Sequence, residues 1–446
     1  MAAALLARLT GSPAVDELAW ATLLAVVVLG LPGFGLREGY LVTLCAVLSA
    51  LATALHPDPS GVIARAMDQA VFLMSFVLLL GLINEAASTS PAVVDSGAFL
   101  TRQPPGRRFY ALYLGTGFLG VLFNLGLVGF LVPLIQRGVA AARQDDGMNP
   151  VRERRQISAM LRGFAWSVIW SPTALAPLAL MELMPQADRG RWMALGFAAF
   201  LVMMVAGAVE DRISVRKLTR RPGPQPSATV PGAALLRLAA ACGWLLGLSL
   251  LLSWATQETA VFGLMLACPV MLVCWIAVQT GGDAAATLGR LRTVAMTRIP
   301  RSAPVAVTLG TSGFIGALAG ALLPAEAVAE TLGLGSMPDY LLLAAITVFV
   351  PLASLLAVSP VMMSVFLGTL FTSLPVLPAD ATLLALAISC GWSLSMTFSP
   401  FATIVLVAAN ASGIPPRRLT WGWNLRFTLV GATLMPPMFW VLTGGG

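Results

Sequence analysis

The sequence predicts an all-α polytopic membrane protein: about ten transmembrane helices, two re-entrant hairpins and two broken helices, arranged as two inverted repeats. Three observations predict it. Of 446 residues, 58% are hydrophobic and only 11% charged, under half the charge that coats a soluble globule. Apolar runs of about 20 residues, the length a helix needs to cross a hydrocarbon core, recur along the whole chain. Two interrupted apolar segments then occur in the same order in each half, as expected of a membrane fold duplicated with inversion.

The first long apolar run, residues 20–31, has neither a basic start nor a small-residue cleavage site and reads as a helix kept in the membrane. Ordinary spans are expected at 17–33, 38–55, 69–86 and 191–210, then at 232–254, 258–279, 303–323 and 419–442. Residues 109–136 and 339–373 are too long or too interrupted for one straight crossing and predict hairpins. Residues 157–183 and 381–411 carry Ser-Pro steps in mid-membrane and predict broken helices. Proline removes a backbone donor and disfavours helix in the residue before it, so Pro172, Pro177, Pro360 and Pro400 are the expected break positions. Between the halves, residues 211–231 carry Arg212, Arg216, Lys217, Arg220 and Arg221 and then Pro-Gly-Pro-Gln-Pro, a cytoplasmic linker. The first repeat is thus expected at 1–210 and the second at 232–446. Val121-Leu-Phe-Asn-Leu-Gly parallels Leu356-Ala-Val-Ser-Pro-Val, and Trp170-Ser-Pro-Thr parallels Phe398-Ser-Pro-Phe, in that order.

Charge tests the hairpins. If each enters and leaves on one face, all of the 27 basic residues except Arg8, Arg65, Arg189 and Arg191 lie on the cytoplasmic side, the bias that orients membrane proteins. If each were a single crossing, the basic segments 102–108 and 137–155 would face opposite ways. The expected location is the bacterial inner membrane, with both termini outside. The formal charge of +7 therefore belongs to a lipid face and predicts no nucleic acid partner.

Several chemistries are excluded by residue type. The five cysteines lie within apolar runs without metal-site spacing, and the one histidine, His56, sits in a turn-like His-Pro-Asp-Pro-Ser stretch. No nucleotide-binding motif occurs, and the acids are scattered, so an enzyme is not expected. Gly310, Gly313, Gly316 and Gly320 form a small-residue face suited to close helix packing.

One stretch carries a family likeness. Residues 385–426 contain Cys390-Gly-Trp-Ser-Leu-Ser-Met, a break at Thr397-Phe-Ser-Pro, then Val405-Leu-Val-Ala-Ala-Asn-Ala-Ser-Gly and Arg417-Arg-Leu-Thr-Trp. With the repeated hairpins and broken helices, this resembles the ion transporter superfamily of secondary carriers, which includes divalent anion/sodium symporters, arsenite permeases and sodium/proton antiporters. The resemblance implies a secondary active transporter, elevator-like movement, a homodimer, and Na⁺ or H⁺ as the candidate coupling ion with no other cofactor. The tips depart from the family pattern. The first has Phe123-Asn124 where an Asp-Asn pair is common, and the second has Ser359-Pro360 without an Asn.

Irregular backbone at membrane depth is tolerated only where it is buried in protein or lines a watery cavity. Tips and breaks meeting there would expose half-helix ends, whose positive N-termini suit a carboxylate or oxyanion. The expected polar lining is Asn124, Ser171, Thr173, Ser359, Thr397, Ser399 and Thr403. The plain alternative for each hydroxyl is a bond to its own helix backbone. The absence of a tip acid favours a small anion over the second reading, a cation/proton antiporter of the same fold. A third is a membrane anchor subunit, with the basic loop 137–155 as its docking surface.

Overall fold

The computed structural model describes residues 1–88, 90–123, 126–141, 147–215 and 231–445, and all regular structure among the described residues is helical. The chain opens with α1 (Ala2–Thr10), α2 (Pro13–Gly30), α3 (Leu36–Leu55) and α4 (Pro59–Ser88). The hairpin and broken-helix region of the first half is α5 (Pro91–Thr101), α6 (Pro105–Phe123), α7 (Gly126–Ala141), α8 (Asn149–Ser167) and α9 (Leu175–Leu183), followed by α10 (Arg189–Val215). The second half runs α11 (Gly232–Thr256), α12 (Ala260–Gln279), α13 (Ala284–Thr293), α14 (Ile299–Leu322) and α15 (Ala325–Thr331). It closes with α16 (Asp339–Ser354), α17 (Pro360–Thr372), α18 (Ala381–Phe398), α19 (Thr403–Ser412) and α20 (Leu425–Leu442). Most of the predicted linker, residues 216–230, lies outside the described residues.

Ten helices among the described residues are long and apolar enough to cross a membrane. They include Asp339–Leu356, which the sequence placed in a hairpin, and not the stretch 157–183. That stretch is divided between α8 and α9, and α8 begins with Arg152, Glu153, Arg154 and Arg155, too polar for an apolar span. The span expected at 69–86 starts earlier, at Pro59. Arg65, Asp68 and Gln69 lower the hydropathy there without breaking the helix. Asp58 caps its start, with a side-chain oxygen 2.9 Å from the Gly61 N–H and 3.2 Å from the Ser60 hydroxyl.

The helices pack into two compact units, each drawn from both halves of the sequence. The first unit is Met1–Ser90, Ala239–Val328 and Val361–Pro375. Its centre is α14, which packs on α3 and α4. The glycine face lets it do so: a Cβ on Gly313 would lie 2.4 Å from Leu73 Cδ1 of α4, and one on Gly316 2.6 Å from the Met362 carbonyl of α17. Side chains there would force these helices apart.

The second unit is Pro91–Leu238, Ala329–Pro360 and Val376–Gly446. It holds both broken helices, both arms of the first hairpin (α6 and α7), and α16, the first arm of the second. The other arm, α17, belongs almost wholly to the first unit. Within the second unit α8 packs on α6 and α18, and α16 packs on α18 and α20. An aromatic cluster of Phe118, Trp170, Phe197, Phe200 and Tyr113 joins α6, the first break and α10, with neighbouring centroids 4.7–6.4 Å apart.

Candidate functional site: two helix breaks in the second unit

At the first break, helical structure stops at Ser167 and resumes at Leu175. Pro172 lies inside this gap. Pro177 lies in the first turn of α9, where a missing N–H leaves nothing unpaired, so the break ends before it. Thr173 Oγ1 donates to the Val121 carbonyl near the end of α6, at 2.6 Å, and the Ser171 hydroxyl is 3.2 Å from that of Thr173. Both side chains are buried. The first residue of the new half-helix is preceded by Ala174 in extended conformation (φ −75°, ψ 140°), and no side chain caps it.

At the second break, α18 ends at Phe398 and α19 begins at Thr403. Ser399 Oγ donates to the Ser354 carbonyl at the end of α16 (2.8 Å) and accepts from the Phe401 N–H (3.2 Å). Pro400 follows, buried, at the turn. Thr397 Oγ1 lies 2.8 Å from Thr428 Oγ1 of α20. Here too an alanine, Ala402 (φ −62°, ψ 132°), stands at the N-cap with no side-chain cap, and half-buried Thr403 opens the half-helix. Ser359 is buried just before Pro360, the first residue of α17, and Ala357 in the same turn has φ 61°. Asn124 lies outside the described residues.

Of the expected lining residues, the structure brings Ser171 to Thr173 and ties both breaks to hairpin arms. The hydroxyls of Thr173 and Ser399 are committed to backbone carbonyls. What the breaks present to a ligand is therefore mainly backbone: two half-helix N-termini, each carrying the partial positive charge of the peptide dipoles.

Two features escaped the sequence reading. The first is a contact made twice. Thr116 of α6 donates to the Met160 carbonyl of α8 (3.3 Å), and Thr347 of α16 donates to the Ala387 carbonyl of α18 (3.0 Å). One turn further along each broken helix stands a glycine at the closest approach. A Cβ on Gly163 would lie 2.2 Å from the Tyr113 carbonyl, and one on Gly391 2.8 Å from Val350 Cβ and 3.0 Å from the Thr347 carbonyl. A glycine three or four residues beyond the contact is a weak signal in an alanine- and glycine-rich chain.

The second is Arg162, which the sequence reading counted among the cytoplasmic basic residues without assigning it partners. Its side chain is only 3% exposed. It donates to Glu210 Oε2 (2.7 Å), Asn424 Oδ1 (2.8 Å) and the Trp423 carbonyl (3.3 Å), and its guanidinium lies 4.5 Å from the Phe427 ring centroid. Two turns earlier on α8, Arg155 grips both oxygens of Asp211 at 2.6–3.2 Å. The signal was there in the pairing of two arginines a helical repeat apart with the adjacent acids Glu210 and Asp211 at the end of α10.

Among the described residues no group of three or more His, Cys, Asp or Glu side chains could hold a metal ion. No family model matches the chain, and no curated protein matches its sequence. Solved structures match its fold. The crystal structure of the YdaH transporter of Alcanivorax borkumensis, noted for an unusual topology, aligns with a TM-score of 0.58 at 17% identity, covering 92% of this chain and 99% of that one. MtrF of Neisseria gonorrhoeae, described within a class of antimetabolite efflux pumps, aligns with a TM-score of 0.53 at 10% identity, covering 91% of this chain and 94% of that one. The chain has the fold of these two proteins along nearly its whole length.

Proposed function

We propose that the protein is a secondary active transporter of a small anion, an organic carboxylate or an oxyanion, in the bacterial inner membrane. The observation that carries this reading is the pair of half-helix N-termini at Leu175 and Thr403, each opening from a break inside the second unit without a side-chain cap. Such ends are positive and offer N–H groups to an anion. The shared fold with a transporter and an efflux pump supports transport as the activity. The Thr–Gly contact made in each half supports an internal repeat, which the sequence reading puts at 1–210 and 232–446. The resemblance to secondary carriers adds Na⁺ or H⁺ coupling, elevator-like movement and a homodimer.

The test is a thermal-shift screen of the purified protein with carboxylates and oxyanions, each in Na⁺, in K⁺ and at several pH values, followed by flux of the best ligand in proteoliposomes. A ligand that binds the folded state stabilises it. One anion class should raise the melting temperature, and that class should be transported. Ala402→Ser sharpens the test. A serine there can cap α19 itself, so it should stabilise the free protein, by about 1 kcal/mol for a typical N-cap, and weaken anion binding. Stabilisation by Na⁺ or pH alone, with no anion response and no anion flux, would overturn the anion reading in favour of cation/proton exchange.

A further inference from the structure

Away from the breaks, the second unit contains a cavity of about 150 Å³ beside α8 and α10, lined in part by Arg154, Arg155, Ser158, Arg162, Glu210 and Asp211. A second cavity of about 350 Å³ shares Arg154, Ser214 and Trp423 with it and adds Trp421 and Arg426. The charges in this place do not cancel. Asp211 is taken up by Arg155, and the two oxygens of Glu210 are taken up by Arg162 (2.7 Å) and the Ser214 hydroxyl (2.8 Å). Arg154 and Arg426 have no ion pair or hydrogen bond among the described residues. Four guanidiniums thus face two carboxylates, and both carboxylates are spent. Ser158 supplies the second observation. It is 5% exposed, it lines the smaller cavity, and its hydroxyl has no hydrogen-bond partner among the described residues. A buried hydroxyl left unpaired is uncommon and costs stability unless something fills the place.

From this we infer a binding site for a phosphate group, in which Arg154 and Arg426 supply the charge and Ser158 a hydrogen bond. Arginine suits phosphate because its planar fork presents paired donors. The flanking indoles of Trp421 and Trp423 point to the source. Tryptophan concentrates at the headgroup level of a bilayer, and basic pockets between helices at that level take anionic headgroups. The occupant is therefore the phosphate of an anionic phospholipid. This site does not depend on the transport reading.

The experiment is native mass spectrometry and thermal shift of the full-length protein, delipidated in detergent and titrated with phosphatidylglycerol, phosphatidylcholine or inorganic phosphate. Phosphatidylglycerol should bind and stabilise more strongly than phosphatidylcholine. Arg154→Gln and Arg426→Gln should each weaken it about fivefold, the effect of one basic residue near an anionic lipid. Ser158→Ala should weaken it less, and Arg154→Lys should restore most of the affinity. Arg237→Gln, an exposed basic residue outside the cavities, should leave it unchanged. Because Arg154 and Arg426 have no partner to lose among the described residues, their variants should melt like the wild type without lipid. Equal binding of both lipids, or an equal loss in Arg237→Gln, would overturn the site. Binding of inorganic phosphate with no response to phosphatidylglycerol would overturn the lipid assignment and leave a soluble phosphate as occupant.

Discussion

The two broken helices are built on one plan from different chemistry. α8 and α18 each lie against the first arm of a hairpin, and each receives a threonine hydroxyl on a backbone carbonyl. Each also presents a glycine at the closest contact and ends in a break tied to that arm. Yet α8 is charged along its first half, while α18 is apolar and buried from Thr382 to Thr397, with polarity confined to serines and threonines. The shared features are shape and backbone hydrogen bonding, which position the breaks. The differing ones are side-chain charges, which the first helix resolves with Glu210 and Asp211 and the second never introduces. Geometry at the breaks can thus persist while the surroundings of each helix diverge.

That comparison can be broken most forcefully at Arg162. Arg162→Met should strand Glu210 in a buried setting and destabilise the protein by about 3–5 kcal/mol, with Glu210→Gln in the same chain recovering part of the loss. Thermal melts in detergent would show it. No substitution in α18 of comparable size should act this way, because α18 carries no charge. Next come the glycines. Gly163→Ala should cost about 1–3 kcal/mol through overpacking, and more than Gly391→Ala, since its Cβ would meet a rigid carbonyl at 2.2 Å. The reverse order would mean that the two contacts are not equivalent. Smaller again are the staples. Ser399→Ala and Thr173→Val should each lose about 1 kcal/mol, with Ser399→Ala the larger because it also strips the Phe401 N–H of its acceptor.

The smallest effect is expected in the other unit, at Asp58. The Gly61 N–H, and then the Ser60 hydroxyl, hold its carboxyl below the usual range. A lowered native pKa stabilises the fold above the unfolded value and is lost as pH falls through the native one. The difference in melting temperature between wild type and Asp58→Ala should therefore be small at neutral pH and vanish in strong acid.

Much of the fold was legible in the sequence, for physical reasons. Hydropathy finds spans because lipid is the solvent, and Ser-Pro steps find breaks because proline removes a donor, so both breaks fall inside the stretches 157–183 and 381–411. Short helices were missed: α5, α13 and α15 lack a long apolar run. The break hydroxyls could be named but not their partners, because Val121 and Ser354 accept through carbonyls that every residue carries. The burial of Arg162 was not legible because it depends on Glu210 and Asn424, which only tertiary packing brings to it.

The stapling threonines carry a consequence for how the protein is made. Thr116 Oγ1 also bonds the Leu112 carbonyl of its own helix at 2.6 Å, and Thr347 Oγ1 the Leu343 carbonyl of its own at 2.9 Å. Each hydroxyl thus has a partner before its neighbouring helix arrives. The helices can leave the translocon singly and enter lipid without carrying an unpaired polar group. When α8 or α18 docks, the hydroxyl extends a bond it already makes, and the new bond adds little to the net free energy. Assembly order is then set by fit at Gly163 and Gly391, and a defect there should appear as inserted but unassembled protein, open to membrane proteolysis.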